Sequence, residues 1–309
     1  MSVFTLVRPD QLEAFLSGYA LGGLVDYSGI AGGSENSNFF VTTSKGRYVL
    51  TLIEREPVAR ELPFFIELLD VLHAAGLPVP YALRDRQGRP LQQLNGKPAL
   101  LQPRLPGVHV DTPTVAQCAA VGNLLAQIHL ATAASGLYRR DDRGINWLLE
   151  EGCRQSALLD APQRELLQQV LDSLARWQAR PPAIPSAVLH ADLFRDNLMF
   201  EQERLSGVID FYNAASGWCL YDLAIACNDW CLSGTAEAHL EPDLERAAAL
   251  LGGYAALRPF TDAERNCWQD MLGMAAARFW LSRRIAAAEH GGQSGVLIKD
   301  PEHFVRVLQ

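Results

Sequence analysis

Three short runs near the start of the chain have the apolar texture of strands: Val25–Ile30, Phe39–Thr43 and Tyr48–Ile53. They are separated by the Gly- and Ser-rich segment GGSENSN and by the turn Ser44-Lys45-Gly46-Arg47, which predicts an antiparallel meander. From Arg60 to Ala75 the pattern changes. Leu62, Phe65, Leu68, Leu69 and Leu72 recur at spacings of three and four, and the run stops at Gly76 with Pro78 and Pro80 beyond, as an amphipathic helix does. Short extended segments follow at Tyr81–Arg84 and Ala99–Gln102, and the cluster Pro103, Pro106, Gly107 marks a bend.

Past that bend long helical patterns dominate, at 114–132, 160–179, 240–257 and 261–289. The expected organisation is α+β and bilobal: a strand-rich first lobe, residues 1–102, and a mainly helical second lobe, 103–309. No internal repeat is visible.

Composition narrows the function classes. With 27 basic and 35 acidic side chains the net charge is −8, which argues against a nucleic-acid partner, since such binding relies on basic surface. No stretch approaches the ~20 apolar residues that span a bilayer, and MSVFTLVRPDQ lacks the form of a signal peptide, so the expected location is the cytoplasm with no membrane partner. The six cysteines include no CxxC pair and do not look like a disulfide framework; Cys227 and Cys231, on one helical face, read as small buried apolar residues. Oligomeric state is not set by any of these features.

Candidate chemistry concentrates in Val188-Leu-His-Ala-Asp-Leu-Phe-Arg-Asp-Asn-Leu-Met-Phe200 and Gly207-Val-Ile-Asp-Phe-Tyr212. One apolar run leads into His190, Asp192 and Asn197, and another into Asp210; polar groups so placed are costly unless paired. Asn197 and Asp210 lie 13 apart around Glu203 and Arg204, so a symmetric β-hairpin would set their oxygens opposite one another. Such a pair suits Mg²⁺, with phosphate oxygens and water completing the shell. Asp192, on the loop entering the hairpin, is suited to accept a proton from a substrate hydroxyl.

HxDxxxxN at His190, Asp192 and Asn197, followed by DF at Asp210 and Phe211, resembles the catalytic loop and metal motif of the protein-kinase-like fold, as in the aminoglycoside phosphotransferase and choline kinase superfamily. Together with GIAGGSENSNFFV, YVLTLIER, HADLFRDN and IDFY, the chain is similar along its whole length to the homoserine kinases of that superfamily. The resemblance implies phosphorylation of the L-homoserine hydroxyl with ATP and Mg²⁺. It leaves open another small hydroxylated acceptor such as choline, an aminoglycoside or a methylthio sugar, and a catalytically silent nucleotide-binding module. Only eleven residues separate Asp210 from Asp222, too few for the long activation segment of a protein kinase.

Carried over by resemblance, Asp192 orients the attacking hydroxyl, Asn197 and Asp210 bind Mg²⁺, and His190 braces the loop, with a general-base role as its alternative. Asp222 supports the loop from a helix start, or acts as a simple N-cap. Gly32, Gly33, Ser34, Asn36 and Ser37 would cover the ATP phosphates, although a plain polar hairpin turn reads equally well there; neither GxGxxG nor Walker A is matched. The adenine would lie along Leu100–Pro103, which includes Gln102. Arg278 and Arg283 would meet the acceptor carboxylate, or serve as structural salt-bridge residues. Tyr212, Asn228, Asp229 and Trp230 are candidate pocket walls, with Trp230 also readable as core. One departure stands out: the usual phosphate-contacting lysine falls at Thr51, leaving Arg55 or Arg60 as substitutes, and Glu61 as a candidate only by position.

Overall fold

A computed structural model describes residues 4–30, 36–234, 240–290 and 299–308, with the His290 side chain outside the description. Contacts divide the chain into two compact units. One runs to Pro106 and takes in Gly207–Tyr212; the other holds Gly107–Ser206 and most of the chain from Asn213 onward.

The first unit is built on a five-stranded antiparallel sheet in the order β1-β2-β3-β5-β4. Its strands are β1 (Leu24–Gly29), β2 (Ser37–Thr43), β3 (Gly46–Leu52), β4 (Gln92–Leu94) and β5 (Lys97–Pro103). The first three form the expected meander, with Asn38 opposite Thr51 and Val41 opposite Tyr48. Successive side chains of a strand face opposite ways, and both faces of this sheet are covered. Leu50, Leu52 and Leu101 join Leu12 and Leu16 of helix α1 (Pro9–Leu16) on one side. Leu100 joins Ile53, Leu62 and Ile66 on the other, the last two from α2 (Glu56–Ala74). Helix α2 begins earlier than its apolar stripe suggests, because Pro57 occupies a first-turn position where its missing N–H costs nothing. It ends as expected at Gly76, whose φ of +82° few other residues adopt. Tyr81–Arg84 forms no strand, although Leu83 N–H reaches Leu101 O at 2.8 Å.

The second unit is mainly helical, with α3 (Val115–Ala133), α4 (Ile145–Ser156), α5 (Ala161–Ala179), α6 (Cys219–Trp230), α7 (Leu244–Ala255), α8 (Asp262–His290) and α9 (Glu302–Leu308). Strand β6 (Ser186–Leu189) pairs antiparallel with β9 (Ala215–Trp218). Between them lie β7 (Leu198–Glu201) and β8 (Arg204–Val208), paired as the expected hairpin. Helices α3 and α7 approach backbone to backbone: a Cβ added at Gly122 would fall 1.8 Å from Leu250 O, and one at Gly253 2.1 Å from Ala119 O. That approach places His129 of α3 against Tyr254 of α7, with His129 Nδ1 and Tyr254 Oη 2.8 Å apart. Among the described residues, no helix is long and apolar enough to cross a membrane.

Candidate active site

Strand β6 delivers the chain to His190, which is fully buried, and then to Ala191 at φ +62°, a left-handed conformation that costs a non-glycine residue energy. A carboxylate on a neighbouring element holds this turn. The backbone N–H groups of His190 and Ala191 donate to the two oxygens of Asp222, each at 2.8 Å. The N–H of Asp192 lies 3.3 Å from His190 Nδ1, which therefore serves as acceptor, so His190 braces the loop from within. Below the loop, Trp230 Nε1 donates to Leu193 O at 3.1 Å, and Asp229 accepts from the Arg195 N–H at 2.8 Å.

Asp222 is itself buried against His129, whose Nε2 lies 3.1 Å from it. Burial alone would lower the His129 pKa; the neighbouring Cys219 and Asp222 overcome it and hold the imidazole up at about 9. Burial likewise opposes the charged form of Asp222, yet His129, the nearby His190 and its backbone amide keep the carboxyl below its ordinary range. The result is a buried ion pair that fixes two consecutive backbone amides. Asp222 lies within α6, after Cys219, Leu220 and Tyr221, and the N-cap position belongs to Trp218, so the simple N-cap reading of Asp222 is replaced by loop support.

Asp192 is half-buried, and its Oδ2 accepts from Asn213 Nδ2 at 3.0 Å. Asn197 donates Nδ2 to the Asp192 carbonyl at 2.7 Å. Committing its nitrogen in this way reserves the amide oxygen of Asn197 for another partner. Asp210 follows β8 in an exposed position with φ +64°, a strained geometry of the kind that collects at functional sites. An amide oxygen and a carboxylate are the hard donors that Mg²⁺ takes. Among the described residues, no group of three or more His, Cys, Asp or Glu is arranged to hold a metal.

The expected nucleotide contacts divide. Gly32, Gly33 and Ser34 lie outside the described residues. Ser37 is not available as a phosphate contact, which corrects the sequence expectation. Its hydroxyl accepts from Phe4 N–H at 2.8 Å and Thr5 N–H at 2.9 Å and donates to Glu54 at 2.6 Å, which exhausts its hydrogen-bonding capacity. Asn36 is buried, with Oδ1 3.4 Å from Glu54 N–H. Gln102 is buried and donates its side-chain amide to Pro80 O. Thr51 donates to Asn38 Oδ1 at 2.8 Å. Arg60 is exposed and paired with Glu56 at 3.3 Å. Sequence reasoning missed the Glu54–Lys97 ion pair at 3.2 Å. Burial works against the Glu54 charge, but hydrogen bonds from Ser37, Thr5 and Lys97 keep its carboxyl below the ordinary range.

Arg283, one of the two arginines expected to meet the acceptor, stacks over Phe304 at 4.5 Å and donates to Asp300 O at 3.0 Å. Burial lowers its pKa, against the charges of Asp229, Asp196, Asp192 and Asp300. Arg278 is buried over the Phe279 ring at 4.1 Å, and Phe279 meets Phe194 of the loop after β6 edge-on at 4.5 Å. Trp230 has no exposed surface and packs 5.9 Å from Phe200, so it underlies the loop and does not line a pocket, contrary to the pocket-wall expectation. Tyr212 packs edge-on against Phe65 at 5.4 Å, in the first unit's apolar cluster. Asn228 is buried and donates to Leu272 O at 3.0 Å.

Residues 26–260 match the model of the phosphotransferase enzyme family. The chain belongs to that family. A homoserine kinase of Pseudomonas aeruginosa strain UCBPP-PA14 is 56% identical over 98% of this chain and 94% of its own length. Another from Methylobacillus flagellatus is 42% identical over 100% and 95%. Among solved structures, the amicoumacin kinase hAmiN, in complex with AMP-PNP, Ca²⁺ and Ami, superposes with a TM-score of 0.71 at 16% identity, over 98% of this chain and 92% of that one. Choline kinase of Cryptosporidium parvum gives 0.60 at 13%, over 92% and 88%. The two structural likenesses show the fold, an α+β arrangement shared with these phosphotransferases.

Proposed function

We propose that this protein transfers the γ-phosphoryl group of ATP to the side-chain hydroxyl of L-homoserine, giving O-phospho-L-homoserine and ADP for threonine biosynthesis. The likeness to homoserine kinases along the full chain carries the acceptor assignment. Residues 1–102 cover the nucleotide, and 103–309 supply the catalytic loop and acceptor contacts, in a cytoplasmic enzyme. Asp192 accepts a hydrogen bond from the acceptor hydroxyl, orients it towards the phosphorus and receives its proton. Asn213, donating to Asp192 Oδ2, helps to fix the carboxylate rotamer. Asn197 and Asp210 would each offer an oxygen to Mg²⁺. When bound, the ion offsets the charge of the phosphate oxygens, the main requirement of a reaction that depends on positioning and electrostatics. Arg278 supplies positive charge for an amino-acid carboxylate, which a polycationic aminoglycoside would not need, and Arg283 adds positive charge near the loop aspartates.

ADP release measured with Mg²⁺ across homoserine, choline, serine, threonine and aminoglycosides tests the proposal. Homoserine is expected to give the highest kcat/KM. Turnover of another acceptor with none of homoserine would overturn it.

A further inference from the structure

Buried polar atoms without a hydrogen-bond partner are rare in folded proteins, and each needs a reason. Among the described residues, three arginines carry such a nitrogen: Arg258, Arg278 and Arg306. Two of them are otherwise satisfied, Arg258 by Glu264 at 2.7 Å and Arg306 by Asp300 at 2.6 Å. Arg278 is different. It is only 3% exposed, Nη1 has no partner, and the guanidinium rests on the Phe279 ring with no ion pair to a described residue.

A second orphan lies on α6, the helix packed against α8. Tyr221 of α6 is also 3% exposed, and its Oη has no partner. Helix α6 packs on α8, and after burial the charge acting most strongly on the Tyr221 phenol is Arg278, followed by Asp141, Asp222 and Arg143. Both residues adjoin the catalytic loop. Tyr221 immediately precedes Asp222, which holds the amides of His190 and Ala191; Arg278 lies on the ring that packs against Phe194. An unpaired buried guanidinium and an unpaired buried phenol are each destabilising in an empty protein. Together they present one charged and one neutral donor, which match the two oxygens of a carboxylate. Arg283 has no such vacancy in its chemistry: four aspartates already act on it and its Nη1 donates to Asp300 O.

We propose that Arg278 Nη1 and Tyr221 Oη clamp the α-carboxylate of the acceptor, while Arg283 balances the aspartates around the loop. The clamp rests on the amino-acid acceptor proposed above. Two variants of the full-length protein test it, Tyr221→Phe and Arg278→Met, each compared with wild type by thermal melting and by kinetics with L-homoserine and with 3-aminopropan-1-ol, which keeps the hydroxyl and ammonium but lacks the carboxylate. Tyr221→Phe is expected to melt no lower than wild type without ligand, because it removes only an orphan. Its KM for homoserine should rise about tenfold or more, the scale of a hydrogen bond to a charged group, with the KM for ATP unchanged. Arg278→Met is expected to keep or raise the ligand-free melting temperature, to lose homoserine saturation, and to handle 3-aminopropan-1-ol as wild type does. A wild-type KM for homoserine in Tyr221→Phe would overturn the clamp alone. A wild-type protein inert towards homoserine would overturn the acceptor reading and the clamp with it.

Discussion

The same device is built twice in this protein, at different depths. In the second unit the Asp222 carboxylate gathers two backbone amides and pairs with His129, and both side chains are sealed from solvent, at 0% and 1% exposure. In the first unit the Glu54 carboxylate gathers the Ser37 hydroxyl and pairs with Lys97, but here the side chains are 13% and 37% exposed. The chemistry is alike and the consequences differ. A buried charge that loses its partner has no water to turn to, whereas a partly exposed one is rescreened by solvent. Depth lets the Asp222 network hold Ala191 in a strained conformation and so set the direction of Asp192. The Glu54 network can do no more than tie the first residues of the chain to the sheet.

The largest expected effect falls on the outward-facing group that the deep network positions. Asp192→Asn keeps the size and one hydrogen-bonding oxygen but removes the proposed proton acceptor, so turnover should drop by about 10²–10⁴-fold, the usual worth of a general base. The urea midpoint should stay near wild type, since Asp192 is only half-buried. Asp192→Asn with wild-type turnover would show that another residue carries the chemistry.

Asp222→Asn should act in the opposite way, on stability before chemistry. It strands a protonated His129 in the core and turns an amide donor towards the N–H groups of His190 or Ala191, at a cost of about 3–5 kcal/mol. Urea unfolding measures this directly, and a loss below about 1 kcal/mol would remove the distinction between the two networks. The same pair predicts a pH window. Because the folded His129 pKa is raised to about 9, its contribution is complete below its unfolded value near 6.5 and disappears as pH rises through about 9. Stability should therefore decline across pH 6.5–9 in wild type and be flatter in His129→Gln; parallel curves would mean that His129 is neutral in the folded protein.

The parts of this arrangement that the sequence made legible are the local ones. Strand periodicity located β1 to β3, and the apolar runs flanking Glu201–Arg204 located the hairpin, because register and turn chemistry are written within a few residues. The spacing of His190, Asp192 and Asn197 was readable for the same reason. What stayed hidden joins distant segments. His129 reads as an interior histidine until α3 packs on α7 and brings it to Asp222, 93 residues away. Ser37 reads as a loop hydroxyl free for phosphate until Phe4 and Thr5 fold back over it. Helix α1 could have been found from Pro9 with Leu12 and Leu16 behind it, but eight residues give a weak periodic signal. Helix α4 has no side-chain cap to mark its start, although Ile145, Leu148 and Leu149 recur at helical spacing and would have made it legible too.

The smallest effect is expected at the shallow network. In Lys97→Met, Glu54 keeps the Ser37 hydrogen bond and remains in contact with water, so the loss should stay within about 1 kcal/mol, the range of exposed pairs. Salt gives an independent reading: raising ionic strength from 0.01 to 1 M shortens the screening length from about 30 to 3 Å and should erase most of the difference between Lys97→Met and wild type. The corresponding difference for Asp222→Asn should survive, because ions do not enter the space between Asp222 and His129. A salt-insensitive loss of about 3 kcal/mol at Lys97 would place both networks in the same energetic class and make depth irrelevant to what separates them.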